Sequence, residues 1–116
     1  MAEAIKYTKL PPVFKKNWMS ALRSKKYKQT TKQVCRDEKD GSHTFCCIGV
    51  GGMVCGYSTD DIGRSGILSI GLKKVPRSFG EPDLQGHLID MNDGRGEYKD
   101  NPQSFEQIAD WVEVNL

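Results

Sequence analysis

Near the end of the chain, Ser104-Phe-Glu-Gln107 forms a capping box in which Ser104 is spaced to bond the Gln107 backbone and the Gln107 side chain to reach back. Phe105, Ile108, Ala109, Val112 and Leu116 follow on one face, which predicts a helix to the C-terminus. A helix with one apolar face is stable only against a core, so the remaining chain must provide that core. At 116 residues and 13.0 kDa, residues 1–116 suit a single domain. Two Trp, four Phe and four Tyr supply its large anchors.

Other elements follow from local signals. Pro11-Pro12 precedes a pattern with Phe14, Trp18, Ala21 and Leu22 on one face, predicting a helix from Val13 to about Lys26. Strands are expected at Thr30 to Cys35 and Thr44 to Gly49, paired across an Asp37-Glu-Lys-Asp-Gly41 turn. The apolar run Phe45 to Cys55 remains open between strand and helix, because each interior Gly costs a helix about 1 kcal/mol relative to Ala. Ser58 to Gly66 reads as polar and turn-forming, and Ile67 to Leu72 as a short strand with Leu68, Ile70 and Leu72 on one side. After a loop from Lys73 to Gly80, Pro82 opens a helix to about Asn92, stopped by Gly94. The expected fold is therefore α+β, with about three helices and a small antiparallel sheet.

Charge is distributed unevenly. Residues 1–36 hold ten Lys or Arg against Glu3, giving +9, whereas residues 37–116 hold seven basic and fourteen acidic residues, giving −7. Such a split suits an anionic partner for the first third, or mutual neutralisation of the two parts on folding. No stretch approaches 18 apolar residues, and no hydrophobic segment follows the charges of Met1-Ala-Glu-Ala-Ile-Lys6, so neither a membrane span nor a signal peptide is expected.

Motifs for catalysis or cofactors fail on spacing. Gly49-x-Gly51 is followed by Val54 where a dinucleotide loop needs its third glycine, so close backbone packing explains these glycines better. Cys35, His43, Cys46 or Cys47, and Cys55 lack the paired spacing of a zinc site, and the thiols read as small buried hydrophobes. In Asp90-Met-Asn-Asp-Gly-Arg-Gly96, Arg95 stands where a calcium loop needs glycine and Asn101 where it needs glutamate, leaving a helix stop as the reading. His43 and His87 have no recognisable nucleophile, and a surface or half-buried structural role suits His87. No metal or cofactor is expected.

The segment around the end of the first helix carries the binding chemistry. Arg23 offers a planar fork for an anion, Lys26 and Lys28 are point charges, Trp18 and Tyr27 present aromatic faces, and Gln29 can read a base edge or ribose. The same residues also suit a helix C-terminus and a core.

Four blocks in order carry a resemblance: Trp18-x-x-Ala21-Leu-Arg-Ser-x-Lys-Tyr-Lys-Gln29, Phe45-Cys-Cys-Ile-Gly-Val50, Leu88-x-x-Met91-Asn-Asp93, and Ser104-Phe-x-x-Ile108-Ala-Asp-Trp-Val-Glu113. Together they resemble a family of small, uncharacterised bacteriophage proteins. The family's Cys-Cys block reads Cys-Cys-Leu-Gly-Val-Leu-Cys and often continues as a helix, where this chain has Gly51-Gly52-Met53. The resemblance implies a phage accessory protein acting in the host cytoplasm and supplies no reaction or ligand. The expected function is non-enzymatic binding of an anionic ligand or host component, as a counter-defence or host-takeover factor. DNA or RNA binding is the alternative, and a small nucleotide hydrolase the third reading. Partners in view are thus a nucleotide, a nucleic acid or an acidic host protein, with no membrane and with homo-oligomers left open.

Overall fold

The first helix, α1 (Pro12–Arg23), starts as its sequence demands: Pro12 occupies the first turn, where its missing N–H costs nothing, and the Lys15 N–H donates to the Pro11 carbonyl at 2.9 Å. Phe14, Trp18 and Leu22 are its buried stripe. The helix ends at Arg23, short of Lys26, because the Ser24 hydroxyl donates to the Ala21 carbonyl at 2.7 Å and Lys25 turns the chain aside at φ 64°. Lys26, Tyr27 and Lys28 consequently lie in a loop.

The computed structural model describes residues 7–63 and 74–116. The strand expected at Ile67 to Leu72 lies outside them. Beyond α1, the elements are β1 (Cys35–Asp37), β2 (His43–Phe45), α2 (Cys47–Val54), α3 (Thr59–Ile62), α4 (Pro82–Asp93), a single 3-10 turn at Gly96–Tyr98 and α5 (Phe105–Asn115). The architecture is α+β, with five α-helices among the described residues where about three were expected.

β1 and β2 pair antiparallel across the expected turn, Cys35 opposite Phe45 and Asp37 opposite His43. The strands are shorter than the sequence suggested. The first begins only at Cys35, since residues 31–34 bend and Lys32 takes φ 71°; the second stops at Phe45 because α2 begins.

Close packing explains why a glycine-rich run is helical. A Cβ on Gly49 would stand 1.8 Å from the Val34 carbonyl oxygen, and one on Gly51 would stand 2.4 Å from the Phe79 ring. Glycine's cost in helix propensity is offset by an approach that no other residue permits. Phe79, fully buried, packs against Phe14 and Trp18 with ring centroids 4.8 Å away from each. The Trp18 indole N–H donates to the Cys47 carbonyl at 2.9 Å, joining α1 to α2 inside the core.

The polar stretch after Cys55 contains α3, a single turn closed by a Ser58–Asp61 capping box that the sequence reading passed over. α4 begins at Pro82 and stops at Gly94 in the left-handed region, φ 72° and ψ 50°. In α5 the Ser104–Gln107 capping box is complete, and Phe105, Ile108, Ala109 and Val112 are buried. No described helix is long and apolar enough to cross a membrane.

Candidate functional site on the outer face of the first helix

Opposite its buried stripe, α1 presents Pro12, Lys15, Lys16, Met19, Ser20, Arg23 and Ser24, the complementary set at helical spacing. With Glu113 of α5 these residues line an open groove of about 700 Å³, within the range of ligand-sized clefts. Met19 is half-buried in it, Lys16 and Ser20 are exposed. The Lys15 ammonium donates to the Glu113 carbonyl oxygen at 3.1 Å.

At the far end, Arg23 is gripped by α5. Its Nη2 lies 2.7 Å from Asp110 Oδ1 and its Nη1 3.2 Å from Glu113 Oε1. The hydrogen bond to Asp110, reinforced by Glu113, raises the Arg23 pKa above its ordinary value.

The six residues expected to form a binding site are separated by the fold. Trp18 has 0% exposure and its N–H is satisfied by Cys47, so it is a core residue rather than a ligand contact. Gln29 is also taken up structurally: its amide donates to Asn92 Oδ1 at 2.9 Å and to the Gln103 carbonyl at 2.8 Å. Tyr27 is half-buried, edge-on to Phe45 at 5.4 Å, with the Lys26 ammonium 5.5 Å from its ring centre. Arg23, Lys26 and Lys28 are exposed. Among the described residues, Lys16, Lys25, Lys26 and Lys28 have no carboxylate within ion-pair distance.

Lys15, Lys16, Met19 and Ser20 were missed in the sequence. Their signal was the inverse of the apolar periodicity: positions 12, 15, 16, 19, 20 and 23 fall opposite the face containing 14, 18 and 22, with Val13, Asn17 and Ala21 on the flank between.

Asn92, on α4, is a buried polar centre. It is 1% exposed, accepts from Gln29 and from the Cys47 N–H at 3.2 Å, and donates to the Thr30 carbonyl and Asp93 Oδ1 at 2.8 and 2.9 Å. It thereby caps α2 and fixes the chain that follows the basic loop.

Cys46 and Cys47 are buried, and burial pushes the Cys46 thiol up to about 11 and the Cys47 thiol well above its usual value. Both pack as small hydrophobes. Among the described residues no group of three His, Cys, Asp or Glu side chains is placed to hold a metal ion. His87 is half-buried and stacks on Trp111 at 4.7 Å, with Nε2 3.2 Å from the Tyr98 hydroxyl and Nδ1 3.4 Å from Glu97. His43 Nε2 lies 3.0 Å from Asp37.

No curated protein and no solved structure matches the chain. Residues 11–58, the stretch from the start of α1 through α2 that contains the cationic helix face and the basic loop, are similar to a family described as a domain of unknown function (DUF8296).

Proposed function

We propose that the protein is a non-enzymatic binding protein that engages an acidic host protein through the cationic outer face of α1 and the Lys25–Lys28 loop. The observation carrying this reading is an open groove with a half-buried Met19, lined by Lys15 and Lys16 and followed in the chain by the exposed Lys25, Lys26 and Lys28, in a chain whose candidate base-reading residues serve the fold. Gln29 is bonded to Asn92 and Gln103, Tyr27 packs on Phe45, and Trp18 is enclosed. Charge with an apolar floor suits a protein surface better than an array of bases, which calls for exposed stacking platforms. The resemblance to small bacteriophage proteins favours a bacterial host component, met in the host cytoplasm, and a counter-defence or takeover role.

A pull-down from bacterial lysate with and without nuclease, followed by mass analysis, tests the reading. An acidic protein retained after nuclease and lost with Lys15→Glu, Lys16→Glu supports it. Release of the bound material by nuclease, with a steep log–log salt dependence, would instead assign nucleic-acid binding.

A further inference from the structure

A second cluster of side chains, which shares no residue with the α1 groove, forms where four segments of the chain meet. α4 carries Asp83, His87 and Asp90 at i, i+4 and i+7, one face of the helix. After the stop at Gly94, the turn at Gly96–Tyr98 returns to that face and sets Glu97 against His87 Nδ1 and the Tyr98 hydroxyl against Nε2. The return is close. A Cβ on Gly96, at φ 56°, would stand 2.7 Å from the Asp90 carboxylate. α5 adds Trp111, stacked on His87, and the segment before α1 adds Tyr7, whose ring centre is 5.7 Å from both His87 and Trp111. All four rings are half-buried, so each leaves part of its surface to solvent, and Asp83 and Glu97 are exposed beside them.

We infer that this cluster binds an arginine side chain of a partner polypeptide, the guanidinium lying on the ring surface of Tyr7, Trp111 and Tyr98 and its charge met by Asp83 and Glu97. The site does not depend on the cationic face of α1. Aromatic faces and carboxylates both attract a cation, yet the chain supplies none here. Among the described residues no lysine or arginine comes within ion-pair distance of Asp83, Asp90 or Glu97, the neighbouring Arg95 and Lys99 included. Lys9, near Tyr7 in sequence, donates instead to the Asn115 carbonyl at 3.4 Å. Tyr27 and Tyr57 give the contrast, with a lysine ammonium 5.5 and 5.6 Å from their ring centres. The Tyr7 and Tyr98 hydroxyls face carboxylates: burial, then Glu97, raises the pKa of each. Carboxylates gathered without a counter-charge repel one another, and a bound cation relieves that repulsion. Arginine fits better than lysine because its plane stacks on a ring while its fork reaches a carboxylate. Contacts on half-buried rings are individually weak, so neighbouring residues of a polypeptide must add what a free small cation lacks.

The test is an NMR titration of the full chain at low salt with a short glycine-serine peptide holding one arginine, against the same peptide with citrulline, its uncharged isostere. The arginine peptide is expected to bind about fivefold tighter, as one exposed cation–π contact and one exposed ion pair allow. The largest shifts should fall on the Trp111 indole and on His87, while the indole of Trp18, sealed in the core, stays still. Asp83→Asn with Glu97→Gln, both at exposed positions, should bring the two peptides to equal affinity, with the thermal midpoint reporting that the fold is kept. Equal binding of the two peptides by the native chain, a preference for arginine that survives loss of both carboxylates, or binding of neither peptide would overturn the inference.

Discussion

Gly49 lies beneath the Val34 carbonyl so closely that a side chain has no place to go: the nearest approach of a Cβ would be 1.8 Å, to backbone rather than to a movable group. Gly49→Ala must therefore push α2 off the bend that precedes β1. We expect loss of the cooperative melt or aggregation on expression. Gly86, in α4, meets nothing within 4 Å, and Gly86→Ala should stabilise by about 0.5–1 kcal/mol. Thermal denaturation of the pair separates close packing from helix propensity, and a normally folded Gly49→Ala would refute the packing account of α2.

Asn92→Ala should be costly for a different reason. It leaves the Cys47 N–H, the Thr30 carbonyl and one Gln29 contact without their partner, each inside or beside the core. The expected loss is about 3 kcal/mol in urea unfolding. Hydrogen exchange should show the Cys47 amide losing protection first, and an unchanged exchange rate there would argue that α2 does not depend on this cap.

Alkaline pH should weaken the fold. In the folded chain Cys46 keeps its proton to about 11, while a free thiol begins to lose it near 9.0. Between these values the unfolded state binds fewer protons, so stability present below pH 9 falls as pH rises toward 11. Cys47, raised in the same direction by burial, adds to the effect, as do Tyr7 and Tyr98 at higher pH. Thermal midpoints measured across this window should decline, with a shallower slope in Cys46→Ala. In the native protein both buried thiols should resist alkylation at pH 8 until the chain unfolds.

Removal of residues 105–116 should leave an insoluble or molten chain. The segment withdraws Phe105, Ile108, Ala109, Val112 and Leu116 from water, and the Leu116 carbonyl accepts from the Leu10 N–H. Retention of near-ultraviolet circular dichroism and a sharp melt in the truncated chain would show that α5 is a detachable element.

What the sequence revealed depended on how locally each instruction was written. The capping box of α5, and the proline and glycine bounding α4, concern neighbours within one turn and were legible. α2 was ambiguous because its glycines argue against a helix unless Val34 and Phe79 are known to lie against them, and Phe79 sits in what reads as an ordinary loop. Asn92 looked like part of a helix stop; its partners at positions 29, 30 and 47 come from distant parts of the chain. The basic character of the site was plain from charge counts. Which cations the fold would neutralise was not, since Arg23 finds its carboxylates 87 and 90 residues away.

Along α1, the positions that hold the core and those that line the groove alternate within a single helix, yet they answer to different demands. Phe14, Trp18 and Leu22 are constrained by volume and by one indole hydrogen bond, whereas Lys16 and Ser20 stand in solvent. On the proposed reading, a lineage of such proteins can exchange these two positions one at a time while folding is undisturbed. Variation gathered at positions 16 and 20, over an unvarying 14, 18 and 22, is the trace that pursuit of a changing partner would leave.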